Sequence, residues 1–305
     1  MKSLDYYIVD VFTSKKYGGN QLAVFIDYND ELSDSDMHNI TREFNFPELT
    51  FIKSNIENKT FEVRIFTPEY EVPFAGHPAL GTAFIISKYL IPSPKTSIVL
   101  KLKHTDINIE VTKPNHINDS EFIMTQAKPV FLSTFKHNEI AQGLDIDKAA
   151  FNVKKPIQEI STGLPYIIIP LNNLKQMNQL HLDSKKVTEY LVENKKFKTN
   201  SVSGLTTALF FVTDETFNNE NTYNTRMFCI ENGNLIEDAA TGSANGCLLA
   251  YLLKNETLKV NAKVEQGFQM NRKSYISLYG TRVKTNYSLK IGGNVVGLSK
   301  GRWKI

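Results

Sequence analysis

Short runs of β-branched and aromatic residues, separated by glycine, proline and asparagine, dominate the chain. YYIVDVFT (6–13), LAVFI (22–26), LTFIK (49–53), FEVRIFT (61–67) and SIVLKL (97–102) read as strands. PYIIIPL (165–171), TALFFVT (207–213) and NTRMFCI (224–230) repeat the scheme in the second half. Near the end, SYISLYG, YSLKIGG and VVGLSKG read as separate strands divided by glycine turns. Helical spacing is rarer. In DSDMHNITREF (34–44) it places Met37, Ile40, Thr41 and Phe44 on one face, with Ser33 as the N-cap. Val187, Tyr190 and Leu191 mark another helix, and the lysines of ENKKFK (193–198) are assigned to its wet face. KPNHINDSE (113–121), polar and broken by proline and asparagine, reads as a linker.

Two runs depart from this pattern. In PFAGHPALGTAFII (73–86) and ATGSANGCLLAYLL (240–253) the helical positions are apolar nearly all round, as in an enclosed helix. Pro78 suits a first helical turn, and Gly76 permits a close backbone approach. The two runs belong to an internal duplication, because VRIFTPEYEVPFAGHPALGTAFIISKYL (63–90) matches TRMFCIENGNLIEDAATGSANGCLLAYLL (225–253). With three extra residues in the second loop, Gly76-His77-Pro78 falls on Thr241-Gly242-Ser243, and Gly81 on Gly246. Each half then reads as a curled sheet around one central helix. If the halves face each other, two helix N-termini converge on one cleft, a receptor for a carboxylate. Capping of buried helices accounts well for one such turn. It accounts less well for a histidine at one and an acid, Asp238, at the other.

Composition narrows the possibilities. The chain has 305 residues, enough for roughly two domains, with 41% hydrophobic and 22% charged residues and a net charge of +3. No apolar run approaches membrane-spanning length, and Met1-Lys2-Ser3-Leu4-Asp5 begins no signal peptide. Cys229 and Cys247 form no paired motif, so a reduced cytoplasmic setting is expected. The glycosylation-like triplets at Asn39, Asn58, Asn118 and Asn255 are then without meaning. The basic residues form no stripe interleaved with aromatics, which argues against nucleic acid. The six histidines are scattered without metal-ligand spacing. GGNVVG (292–297) lacks the spacing of a dinucleotide fingerprint.

VDVFTSKKYGGNQLAVF (9–25), NFPELTF (45–51), FTPEYEVPFAGHPALGTA (66–83), STGLPYIIIP (161–170) and EDAATGSANG (237–246) together resemble the phenazine-biosynthesis-type isomerase family, in the right order along nearly the whole chain. The resemblance implies an α+β, diaminopimelate epimerase-like fold: two pseudo-symmetric lobes, each a barrel-like, mostly antiparallel sheet around a central helix. The lobes are placed at 1–117 and 118–297, with a C-terminal strand near 298–305 crossing back to the first. The resemblance further implies a homodimer that works without cofactor or metal on a small carboxylated substrate.

The same resemblance places the catalytic glutamate on Glu48 and the supporting polar pair on His77 and Asp238. Flanked by Phe46, Pro47 and Leu49, Glu48 has an apolar shell that would raise its pKa, suiting a group that takes and returns a proton. On the residues alone, a glutamate in an alternating strand points to water; the motif match favours catalysis. A helix N-terminus keeps His77 neutral, and Asp238 orients it or holds a substrate ammonium. The amides of Gly76, His77, Gly242 and Ser243 take the carboxylate, with Asn20 and Gly163 as further contacts. Pro47 and Leu49 replace the family's small hydroxyl residues. Gln21 stands in place of a proline, and Asn271 and Lys273 in QGFQMNRKS (266–274) replace glycine and proline. These departures leave the substrate open. The related two-cysteine racemases need thiols where Gly76 and Thr241 stand. The competing class is a non-catalytic carboxylate-binding or interaction protein that keeps the cleft.

Overall fold

A computed structural model describes residues 2–57 and 59–305, so the Asn58 triplet lies outside the described residues. The chain divides into two compact units, Met1–Thr125 with Gly292–Ile305, and Gln126–Ile291. The divisions thus fall at 125/126 and 291/292, where the sequence suggested 117/118 and 297/298.

The first unit contains β1 (Ser3–Val11), β2 (Asn20–Ile26), α1 (Asp34–Phe44), β3 (Glu48–Glu57), β4 (Thr60–Phe66), β5 (Glu71–Val72), α2 (Gly76–Ile85), β6 (Ser97–Lys101), β7 (Asp106–Val111) and β8 (Glu121–Thr125). The second contains β9 (Val130–Phe135), α3 (His137–Leu144), β10 (Ile157–Ser161), β11 (Pro165–Pro170), α4 (Leu174–Gln179), α5 (Ser184–Glu193), β12 (Ala208–Thr213), β13 (Tyr223–Glu231), β14 (Asn234–Asp238), α6 (Gly242–Asn255), β15 (Lys259–Gln266) and β16 (Ser274–Val283). The last strand, β17 (Asn286–Lys304), begins in the second unit and continues in the first, where it pairs antiparallel with β1.

Both units use one pairing scheme. In the first, β1–β2 is antiparallel, β2–β3 parallel across α1, β3–β4 antiparallel, and β4 pairs β5 antiparallel and β6 parallel. In the second, β10–β11, β11–β12 across α4 and α5, β12–β13, β13–β14 and β13–β15 follow the same order of senses. The duplication extends to side chains. Arg64 on β4 forms a bidentate pair with Glu71 at 2.8 and 2.8 Å, and Arg226 on β13 forms one with Glu237 at 2.8 and 2.7 Å. Each guanidinium also lies over the phenylalanine two residues on, 5.0 Å from the Phe66 ring and 4.9 Å from that of Phe228.

Every residue of α2 is buried, and so are the first twelve of α6, as their all-round apolar sequences require. In the first unit Gly81 lets α2 approach β1 and β2, for a Cβ there would meet Leu22 at 2.5 Å and Val11 at 2.9 Å. Amphipathic α1 instead covers the outer face, placing Met37 and Ile40 on a cluster with Ala23, Phe25, Leu49, Phe51 and Phe66. Ser33 and Asp36 cap it reciprocally, and Asn45 ends it in the left-handed region.

Three expectations are corrected. The 113–121 segment is no linker between units: it connects β7 to β8, which pair antiparallel, and the Ser120 hydroxyl closes it on the Lys113 amide. YSLKIGG and VVGLSKG are one strand, β17, in which the glycines are not turns. A Cβ at Gly293 would meet Phe12 at 2.5 Å and one at Gly301 would meet Tyr6 at 2.7 Å, so these residues admit aromatic rings to the strand surface. Finally, Lys196 lies beyond α5 and turns inward to the buried carboxylate of Glu159 at 2.6 Å. Among the described residues, no helix is long and apolar enough to cross a membrane.

Candidate active site

In the first unit, Glu48 opens β3. Strand alternation puts Leu49 and Phe51 into the outer cluster with Phe46 packed against it, so the apolar neighbours in sequence do not enclose the Glu48 carboxyl. Glu48 shares the opposite face with Thr50, whose hydroxyl hydrogen-bonds that of Thr82 on α2 at 2.8 Å. This buried contact fixes β3 against α2 and brings Glu48 Oε2 to 3.5 Å from His77 Nε2. The Glu48 side chain retains 20% exposure, enough to meet a ligand, while the ring keeps 6%.

His77 is neutral because it is buried: desolvation pushes its pKa down to about 3 against the opposing effect of a hydrogen bond to the Gln21 backbone. The sequence reading attributed this neutrality to the helix dipole; burial is the main cause. Among the described residues Nε2 has no hydrogen-bond partner, so the Gln21 contact uses Nδ1. That contact favours the protonated nitrogen, which assigns the proton to Nδ1 and leaves a buried lone pair on Nε2 facing Glu48. The N-cap of α2 is Ala75, with no side-chain cap. The amides of Gly76 and His77 therefore have no partner within the helix. Asn20 is buried at the start of β2, in the same unit.

In the second unit, Asp238 ends β14 and Thr241 is the N-cap of α6, again without a side-chain cap. The Thr241 hydroxyl donates instead to Asp238 Oδ2. Gln266, at the end of β15 and wholly buried, donates from Nε2 to Thr241 Oγ1 at 2.9 Å and to the Asp238 carbonyl at 3.0 Å. Gly242 and Ser243 begin the helix, but the Ser243 hydroxyl is engaged by the Tyr166 hydroxyl at 2.7 Å. Gly163 has φ +133°, a conformation suited to glycine, and its amide donates to the Ser161 hydroxyl at 3.1 Å. Cys247 is buried against Thr162, and desolvation pushes its thiol up to about 12, so it is no nucleophile at neutral pH.

The structure thus groups Glu48 with His77 in the first unit, and Asp238 with the α6 N-terminus in the second. Sequence reasoning missed Thr50, Thr82, Thr241, Gln266 and Tyr166. Hydroxyl and amide residues of this kind carry no periodic signal. Only the duplication, by aligning Thr241 with Gly76, drew notice to one of them.

Two buried helices thus have N-termini without a side-chain cap, one beside a carboxyl–imidazole pair and the other beside Asp238. The chain belongs to the phenazine biosynthesis-like protein family, whose model matches residues 9–301. It is 29% identical to an uncharacterised isomerase of Pasteurella multocida, over 97% of this chain and 92% of that protein. Against the trans-2,3-dihydro-3-hydroxyanthranilate isomerase of Pseudomonas fluorescens it is 28% identical, covering 97% of this chain and 98% of the relative. A crystal structure of a phenazine biosynthesis protein of the same family from Bacillus anthracis superposes with a TM-score of 0.84 at 24% identity, covering all of both chains. The fold is the diaminopimelate epimerase-like α+β class implied by the sequence. Like its named relatives, the chain is an isomerase.

Proposed function

We propose that this isomerase moves a proton between two carbons of a small carboxylated metabolite, with Glu48 as both base and acid and no cofactor. The observation that carries the reading is the Glu48 carboxyl, partly exposed and 3.5 Å from the bare Nε2 of a neutral, buried histidine. A carboxyl in that position can take a proton from one carbon and return it to another. The lone pair of His77 accepts a hydrogen bond from a substrate hydroxyl or amine, or from Glu48 once protonated. The uncapped amides at Gly76, His77, Gly242 and Ser243 bind carboxylate oxygens, since helix N-termini favour anions. Asp238 pairs with a substrate ammonium group. Asn20, the first residue of β2, and Gly163, in the loop before the equivalent strand β11, complete the binding set.

The hydroxyanthranilate acted on by the Pseudomonas relative combines a carboxylate, an amine and a hydroxyl, and is the first compound to test. Incubation of that compound and a panel of small amino and hydroxy carboxylates in heavy water, followed by mass spectrometry, tests the reading. An isomerised product carrying one deuterium supports it. Ligand binding without turnover or exchange across the panel would leave a carboxylate-binding protein.

A further inference from the structure

Gln266 has its orientation dictated by two backbone groups of fixed polarity. Its Oε1 receives the Thr241 amide at 3.2 Å, and its Nε2 faces the Asp238 carbonyl at 3.0 Å; an N–H can only donate and a C=O can only accept. Asn245 reinforces the same sense by donating from Nδ2 to Gln266 Oε1 and to the Thr241 carbonyl, both at 3.0 Å. Gln266 and Asn245 are wholly buried, and Thr241 is 7% exposed, so water does not compete for these groups. Because Nε2 must donate to Thr241 Oγ1, that oxygen is already an acceptor. The hydroxyl has one proton, and among the described residues the other polar atom hydrogen-bonded to it is Asp238 Oδ2.

We propose that Gln266 is a positioning residue which, by fixing the direction of the Thr241 hydroxyl proton, holds Asp238 Oδ2 as a hydrogen-bond acceptor at the mouth of α6. The consequence for catalysis rests on the function proposed above; the direction of the hydrogen bonds does not. The N-cap threonine accepts from Gln266 Nε2 at Oγ1, and no α6 amide donates to its side chain. Relayed hydrogen bonds of this kind set the geometry of a functional group without touching substrate.

The test uses Thr241→Val, which removes the hydroxyl at nearly constant shape, Thr241→Ser, which keeps it, and Gln266→Glu, which puts an acceptor where Nε2 donates. Turnover by Thr241→Val and Gln266→Glu should fall about 10–100-fold, the scale of a lost supporting hydrogen bond, and Thr241→Ser should restore it to within about threefold. Independently of any substrate, the side-chain amide protons of Gln266, followed by nitrogen-15 NMR, should shift and lose exchange protection in Thr241→Val and stay near their wild-type positions in Thr241→Ser. Unchanged Gln266 amide signals in folded Thr241→Val would overturn the hydrogen-bond direction, even if no substrate is turned over. Wild-type turnover by that variant, or a serine variant as impaired as the valine one, would overturn the positioning role. If the wild type turns over nothing in the panel while the amide signals shift as stated, the functional reading fails and the network stands.

Discussion

The neutrality of His77 makes a prediction about stability as well as chemistry. Burial holds its folded pKa at about 3, far below its ordinary value of 6.5. The hydrogen bond to the Gln21 backbone favours an imidazolium, and desolvation outweighs it. In the unfolded chain the ring binds a proton as pH falls below 6.5, while the folded ring stays neutral down to about 3. The unfolded state therefore takes up the extra proton, and His77 contributes stability above pH 6.5 that is lost on acidification. At pH 4 the gap from the ordinary value is two and a half units at about 1.4 kcal/mol each, so about 3 kcal/mol is lost from this group. Urea unfolding of the wild type and of His77→Gln at pH 7.5, 5.5 and 4 isolates it, because losses from the carboxylates common to both largely cancel. The stability difference between wild type and variant should shrink by about 3 kcal/mol from pH 7.5 to 4. Carbon-13 NMR of the ring should meanwhile show one neutral Nδ1–H tautomer throughout. A ring that titrates near 6.5, or a stability difference independent of pH, would refute the argument from burial.

The duplicated ion pairs differ in exposure, with side chains of Arg226 and Glu237 at 10% and 16% and those of Arg64 and Glu71 at 25% and 22%. In thermal or urea unfolding, Glu237→Gln should therefore cost about 3 kcal/mol by stranding a buried guanidinium, and Glu71→Gln about 1 kcal/mol or less, since Arg64 keeps Asp34; equal losses would contradict the comparison. Cys247, with its buried thiol near 12, should resist alkylation by iodoacetamide at pH 7.5 in the native protein and react only on unfolding. Mass spectrometry showing native labelling at that residue would be incompatible with its burial.

Much of the fold was legible because its determinants are local. Ser33 as N-cap marked the start of α1, and the apolar runs at 76–86 and 242–253 specified enclosed helices because no face of either could meet water. The duplication was legible from Arg64 and Arg226, whose carboxylate partners and aromatic contacts prove equivalent. Glycine misled where its role was a long-range one. Gly293 and Gly301 look like turn residues in sequence, yet they sit in one continuous strand and make room for Phe12 and Tyr6, which lie more than 280 positions away in the chain. Glu48 shows the same limit within the site. Its sequence neighbours suggested an apolar shell, but Leu49 and Phe46 pack in the outer cluster, and His77 of α2 lies 3.5 Å from its carboxyl. Hydrogen-bond relays such as Gln266–Thr241–Asp238 depend on which residues tertiary structure brings together, and single-sequence patterns do not encode that.

The central claim is that one carboxyl carries the proton, and Glu48→Gln tests it most directly. Glutamine keeps the size and hydrogen-bonding reach of glutamate and cannot act as a base. With a substrate turned over by the wild type in heavy water, deuterium should appear at a single carbon of the product. It should be incomplete where the carboxyl returns the proton it removed before exchanging with solvent. In the variant both isomerisation and deuterium uptake should fall by about 10²–10⁴-fold with substrate binding retained. Glu48→Gln that isomerises and incorporates deuterium at the wild-type rate would contradict the account.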